Sequence, residues 1–121
     1  MIHTITITNY RPPRTNELYR GRFCKRMAQE RECAQFIAHY GRDLPKATGK
    51  RRVSLSVTLA RRQRLPDADE QSLKAVLDGL VRAELLRGDS RQWCECRPTE
   101  FVLSQQPRPQ TVITLEDVDD G

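Results

Sequence analysis

This chain lacks several features that would assign it to a common class of protein. Only 6% of its 121 residues are aromatic, and no apolar run is long enough to cross a bilayer. The first residues show no secretory signal pattern, so we expect a cytoplasmic protein with no membrane association. Histidine is also scarce, and His3 and His39 lie near no acidic motif. A metal site built from histidine is therefore not expected.

Cysteine is present, but without the spacing of a structural zinc site. The four cysteines are Cys24, Cys33, Cys94 and Cys96. Neither the wide spacing of the first two nor the Cys-x-Cys of the last two matches the Cys-x-x-Cys hairpin typical of zinc. In a reducing cytosol we expect free thiols.

Positive charge exceeds negative charge. The 21 Lys and Arg against 16 Asp and Glu give a net charge of +5, which favours a polyanionic partner such as nucleic acid. Four of the acids, Glu116, Asp117, Asp119 and Asp120, crowd the C-terminal end. We therefore predict one domain over residues 1–116 and a disordered acidic tail over 117–121.

Hydrophobic periodicity and turn signals predict the order β-α-β-α-β-β. The predicted elements are a strand at 2–8, a helix at about 25–40 ended by Gly41, a strand with apolar alternation over 53–59, a helix from 69 or 70 to 86 stopped by Gly88, strand segments at 90–96 and 100–104 broken by Pro98, and a last strand at 111–115. This order predicts an α+β fold, in which a small mixed sheet carries two main helices on one face.

Acidic residues gather around the predicted start of the second helix. Asp67 and Asp69 precede Lys74, and Asp89 follows the helix. Three carboxylates close together would need a divalent cation between them, and such oxygen ligands suit Mg²⁺ or Mn²⁺. A purely structural interpretation also stands, because Asp67 and Glu70 can form a capping box.

Two basic clusters flank the second predicted strand. Lys50, Arg51 and Arg52 precede it, and Arg61, Arg62 and Arg64 follow it. A phosphate backbone lying across the sheet could contact both clusters, which would position nucleic acid without reading bases. Ordinary solvated loop charge explains the same residues equally well.

The acidic segment resembles the signature of the RusA-type Holliday-junction resolvases. That signature has an Asp-x-Asp pair, a downstream Lys on a helix, and a later acidic pair followed by a small residue. Here the matching segments are Asp67-Ala68-Asp69, then Leu73 to Leu80, then Asp89-Ser90. The opening strand with the Pro-Pro-Arg-Thr-Asn loop at 12–16 and the closing strand at 112–115 are also similar to that family.

The resemblance implies a homodimeric Mg²⁺-dependent endodeoxyribonuclease that cuts branched DNA, with Mn²⁺ as a substitute and no small-molecule cofactor. It implies that Asp67, Asp69 and Asp89 hold the metal and that Lys74 joins them as a catalytic residue. In the same family position, Asp78 would support the site by hydrogen bonding. The arginines at 61, 62 and 64 would touch phosphates, followed by residues 50–52.

The chain departs from the family pattern at the residues that would carry out the reaction. The Asn after the second Asp is absent, Lys74 follows Asp69 by five positions instead of four, and Gly88 replaces the first acid of the later pair. One inserted residue rotates a continuous helix by about 100°. Two other functions therefore stay open, a resolvase-like DNA-binding protein without activity and a basic RNA-binding accessory protein.

Overall fold

Alternation of apolar and polar residues builds one mixed β-sheet. The structure, a computed structural model, describes residues 2–12, 23–65 and 74–118. Its strands are β1 (Ile2–Thr8), β2 (Arg51–Leu59), β3 (Cys94–Cys96), β4 (Glu100–Leu103) and β5 (Gln110–Asp117), and its helices are α1 (Phe23–Tyr40) and α2 (Lys74–Arg82). The predicted α+β fold with a mixed sheet, two helices and the order β-α-β-α-β-β is confirmed.

The middle of the sheet is antiparallel and one edge is parallel. β5 lies between β1 and β2 and is antiparallel to both. β3 pairs in parallel with the first part of β2, and β4 pairs in parallel with its last part. The two short strands are thus one edge interrupted around Pro98, where a residue without an amide donor cannot continue the ladder. The predicted break at this proline is confirmed.

The core lies between the helices and one face of the sheet. Ile5, Ile113 and Leu55 stand side by side on neighbouring strands and are almost fully buried. The helices contribute the rest of this cluster through the buried side chains Cys33, Ile37, Ala75, Val76 and Leu80. The opposite face carries Thr4, Thr114 and Ser54 in one cross-strand row, as period-two alternation requires.

α2 ends earlier than predicted because its C-terminal residue pattern forms a Schellman motif. Glu84 adopts a left-handed conformation with φ of 62°, and its amide donates to the Val81 carbonyl at 3.0 Å. The Leu85 amide donates to the Leu80 carbonyl at 2.9 Å, which completes the motif. The prediction that Gly88 stops this helix was wrong. The turn at Glu84 instead brings Leu85 and Leu86 into the core.

Gly41 ends α1 as predicted, but for a packing reason. No described glycine has a positive φ, so Gly41 is not a left-handed cap. A Cβ atom there would lie 2.8 Å from Leu85 Cδ1 and 2.9 Å from the Ile37 carbonyl oxygen. Only a residue without a side chain allows the two helix ends to approach this closely.

The end of β5 corrects the predicted domain boundary. Asp117 was assigned to a disordered tail, yet it is the last residue of β5 and pairs with Arg51. The Val118 amide donates to the Lys50 carbonyl at 3.0 Å. Residues 119–121 of the proposed tail lie outside the described residues. Within the described ranges, no helix has the length and apolarity needed to cross a membrane.

Candidate functional site

Asp89 lies on a turn that the surrounding structure holds in place. The turn follows the buried pair Leu85 and Leu86 and leads into β3. Its first part is fixed by the Ala47 amide, which donates to the Glu84 carbonyl at 3.0 Å. Its last part is fixed by Ser90, whose carbonyl accepts hydrogen bonds from the amides of Trp93 and Cys94. The loop is therefore anchored on both sides of Asp89.

A cation–π contact reinforces the same turn. The Arg87 guanidinium lies 4.5 Å from the centre of the half-buried Trp93 ring, and its Nη1 donates to the Thr48 carbonyl at 3.3 Å. Gly88 lies against the edge of the ring, since a Cβ atom there would be 2.9 Å from Trp93 Cδ1. The Trp93 ring therefore supports this turn through its contacts with Arg87 and Gly88.

The Asp89 carboxylate is exposed and has no hydrogen-bond or ion-pair partner among the described residues. Burial is the main cause of the raised pKa of the Cys94 thiol; the charge of Asp89 adds to the rise, whereas Lys50 opposes it. Asp89 and Lys50 therefore both lie close to the start of β3. An unpaired, solvent-facing carboxylate is free to bind a hard cation.

The other predicted acids cannot be compared with Asp89, because Asp67 and Asp69 lie outside the described residues. Lys74 is described, is exposed, and is the first residue of α2. Across the described ranges, no group of three His, Cys, Asp or Glu side chains could hold a metal ion. The predicted metal cluster therefore depends on two carboxylates beyond these ranges.

Helix packing places Lys74 and Asp89 toward opposite ends of α2. Gly79 packs against Ala34 and Ile37 in the C-terminal half of α1, whereas Leu85 packs against Gly41 just past its end. α2 therefore runs in the same direction as α1, and Asp89 lies beyond its C-terminal end. The nine residues of α2 rise about 12 Å along the axis.

The structure divides the predicted DNA-contacting residues into two groups. Arg61, Arg62 and Arg64 are exposed after the end of β2, as a phosphate contact requires. Arg51 is only 2% exposed and donates to Asp117, to the Leu85 carbonyl and to the Pro45 carbonyl. The predicted DNA contact of Arg51 was wrong, because its guanidinium is buried in the fold.

The Arg52 side chain also forms hydrogen bonds with other residues of the protein. Its guanidinium donates to Glu95 Oε2 and to Glu116 Oε2, both at 3.0 Å, across the open face of the sheet. These carboxylates raise its pKa and neutralise its charge. Lys50 is half-buried, so the cluster at 50–52 offers one cation at most in place of the three predicted.

Sequence reasoning missed the basic residues nearest to Asp89. Arg87 and Arg91 are both exposed and stand two positions before and after it. The sequence did contain a signal for them, since the two arginines flank an acidic residue at equal spacing in a predicted turn. Asp78, predicted to support the site by hydrogen bonding, is half-buried on α2. Burial is the main cause of the raised pKa of the Cys33 thiol, and the charge of Asp78 adds to it.

No protein-family model and no curated protein matches this chain.

Proposed function

We propose that this protein is a Mg²⁺-dependent endodeoxyribonuclease that resolves four-way DNA junctions by paired phosphodiester hydrolysis. The observation that carries the proposal is the Asp89 carboxylate, which is exposed, unpaired among the described residues and held on an anchored turn between two exposed arginines. A carboxylate kept in this way, in the motif position of a resolvase metal ligand, is suited to bind a cation beside a phosphate.

In this proposal Asp67, Asp69 and Asp89 hold the metal. Bound Mg²⁺ would polarise the phosphoryl oxygens and lower the pKa of a bound water. Lys74 would stabilise the negative charge that grows on the phosphate during attack. Arg61, Arg62 and Arg64 would bind the backbone of the DNA arms, and Arg91 the phosphate nearest the cut.

Two opposed strands must be cut, so the proposed active form is a homodimer with two sites. A two-fold dimer matches the two-fold symmetry of paired cuts in a four-way junction. We place this activity in the cytoplasm, where reduced thiols persist.

The placement of Lys74 favours a second candidate, a resolvase-like protein that binds junctions without cutting them. Lys74 and Asp89 lie toward opposite ends of α2, which rises about 12 Å. The catalytic proposal then requires residues 67–69 to approach Asp89 from the start of the helix. Asp69 precedes Lys74 by five positions, which span at most about 17 Å when extended, so chain length permits the approach.

The test is incubation of the purified protein with a synthetic mobile four-way junction and Mg²⁺. Wild type should produce paired nicks on a denaturing gel, and Asp69→Asn and Asp89→Asn should each abolish them. Asp43→Asn is a matched control, because Asp43 is an exposed acid on a different loop.

Each other outcome selects a different function. Junction binding in a gel shift without any nicking would establish the non-catalytic candidate. Preference for RNA over branched DNA would establish the RNA-binding accessory role. Nicking that survives both substitutions would contradict the assigned metal ligands.

A further inference from the structure

The two cysteines of β3 face each other at close range. Residues two positions apart on a strand point to the same side, and the Sγ atoms of Cys94 and Cys96 are 3.5 Å apart. Cys94 is 5% exposed at the edge of the core, whereas Cys96 is exposed to solvent. One thiol is thus accessible and the other is enclosed by apolar side chains.

A disulfide does not suit this pair. Its Cβ atoms would have to lie about 3.5 to 4.5 Å apart. Residues i and i+2 of an extended strand are separated by about 6.6 Å. β3 cannot bend easily to close this gap, because the Arg51 amide donates to the Trp93 carbonyl and the Arg97 amide to the Val53 carbonyl, on either side of it. The thiols therefore remain separate and available to a bridging ligand.

A bridging metal ion fits the observed separation better. With metal–sulfur bonds of about 2.3 Å, two sulfurs bound to one ion lie about 3.8 Å apart in tetrahedral geometry and about 4.6 Å apart in linear geometry. The tetrahedral value is within about 0.3 Å of the observed 3.5 Å, whereas linear two-thiolate binding requires side-chain rotations that move the two Sγ atoms apart by about 1.1 Å. Thiolate pairs favour soft ions such as Cu(I) over Mg²⁺.

The number of available ligands indicates which class of metal ion the two thiols can bind. Over the described part of the chain, no third Cys, His, Asp or Glu joins the two thiols to form a metal-binding group. Structural zinc requires four strong ligands. A soft monovalent ion is satisfied by two thiolates.

We propose that Cys94 and Cys96 form a two-thiolate binding site for a soft monovalent metal ion of the Cu(I) class. One Cu⁺ ion binds two neutral thiols, both protons leave to solvent, and the product is a bis-thiolate complex of charge −1. Cys96 meets the ion first because it is exposed, and Cys94 closes the site from the core side. The proposal does not depend on the proposed nuclease activity.

The experiment is an anaerobic titration of the coloured Cu(I)–bicinchoninate complex with reduced protein. Wild type should remove one equivalent of Cu(I) from the chelator. Cys96→Ser should weaken the affinity by roughly 100-fold or more, since the loss of even an outer-sphere partner costs 10- to 100-fold. Cys96 is exposed, so this variant should fold normally, which circular dichroism can verify.

Cys33→Ala is the matched control, because Cys33 is a single thiol in the core. It should still take up one equivalent. No transfer of Cu(I) to wild type, or equal affinity in Cys96→Ser, would overturn the proposal.

Discussion

Three consecutive basic residues of similar appearance have three different roles. Arg51 lies on the core side of β2 and Arg52 lies on its open face. The Lys50 carbonyl accepts a hydrogen bond from the Val118 amide. Because side chains alternate across a strand, neighbours in sequence meet opposite environments. A charge cluster in the sequence is therefore not a charge cluster on the surface.

Arg51 should be a major source of stability. Its guanidinium joins the end of β5, the loop at Pro45 and the turn after α2, which are distant in sequence. Arg51→Met would leave two carbonyls and a carboxylate without this donor, and we expect a loss of about 2 to 4 kcal/mol in the free energy of unfolding. Urea unfolding at pH 7 measures this loss as a lower midpoint with an unchanged slope.

Arg52→Met provides the comparison on the open face of the same strand. It should cost clearly less than Arg51→Met, because solvent can replace the lost partners of an accessible ion pair. Equal losses in the two variants would show that burial of Arg51 does not matter.

Asp117 should link stability to pH. Its hydrogen bond with Arg51, together with the charges of Arg51 and His3, lowers the pKa of Asp117. A carboxyl group whose pKa is lower in the folded state stabilises the fold above its unfolded pKa of about 3.9, and this contribution is lost as the pH falls through the folded pKa. Asp117 is nearly half exposed, so the contribution should be about 1 kcal/mol or less.

The measurement is the free energy of unfolding of wild type and Asp117→Asn between pH 7 and pH 2. The difference should be largest above pH 4 and should vanish at the acidic end. A difference that stays constant with pH would mean that the charge of Asp117 is not the cause.

At the scale of elements, the end of α2 depends on one unfavourable backbone conformation. Glu84 is not glycine, yet it has a φ of 62°. Lys46 Nζ lies 2.6 Å from Glu84 Oε2, and this contact lowers the pKa of Glu84. Both side chains are largely exposed, so the ion pair offsets little of the strain.

Replacement of Glu84 by glycine should therefore stabilise the protein. Glycine adopts the left-handed conformation without the steric cost that other residues carry, and we expect Tm to rise by roughly 3 to 5 °C. Calorimetry of Glu84→Gly measures the shift. Arg82→Gly, two residues earlier in the helical part of α2, should lower Tm instead, because glycine is a poor helix former. A lower Tm in both variants would refute the strain argument.

The strands could be predicted from the sequence because their signal is local. In β2, apolar residues alternate with serine and threonine from Val53 to Leu59, and the structure has that alternation. The end of α2 could not be predicted in this way. Gly88 is the stronger local stop signal, but the core gains more when Leu85 and Leu86 turn inward, and that gain depends on α1 and β1. Tertiary packing therefore decided the boundary.

The candidate site was predictable only in part for a similar reason. Sequence motifs singled out Asp89, and the structure presents it on an exposed turn. Its anchoring by Trp93 and Arg87, and the burial of Arg51, depend on contacts between segments that lie far apart along the chain. Residue types can be recognised locally, whereas accessibility is a property of the folded chain.

At the scale of the whole molecule, the proposed DNA contact should come from particular arginines and not from the net charge of +5 alone. Arg61 and Arg62 are exposed on one turn past the end of β2. If each neutralises one phosphate, Arg61→Gln together with Arg62→Gln should reduce the salt dependence of binding. The slope of log K against log salt should fall by about 2, since each phosphate contact contributes close to 0.9.

Fluorescence anisotropy with a labelled four-way junction at several salt concentrations gives this slope. The matched control is Arg42→Gln with Arg82→Gln, which removes the same charge from exposed positions at the ends of α1 and α2. The control should lower affinity slightly, through the general field, and leave the slope nearly unchanged. Equal slopes in the two double variants would show that the basic surface acts as a diffuse charge, and the turn at Arg61 would lose its assignment as a phosphate contact.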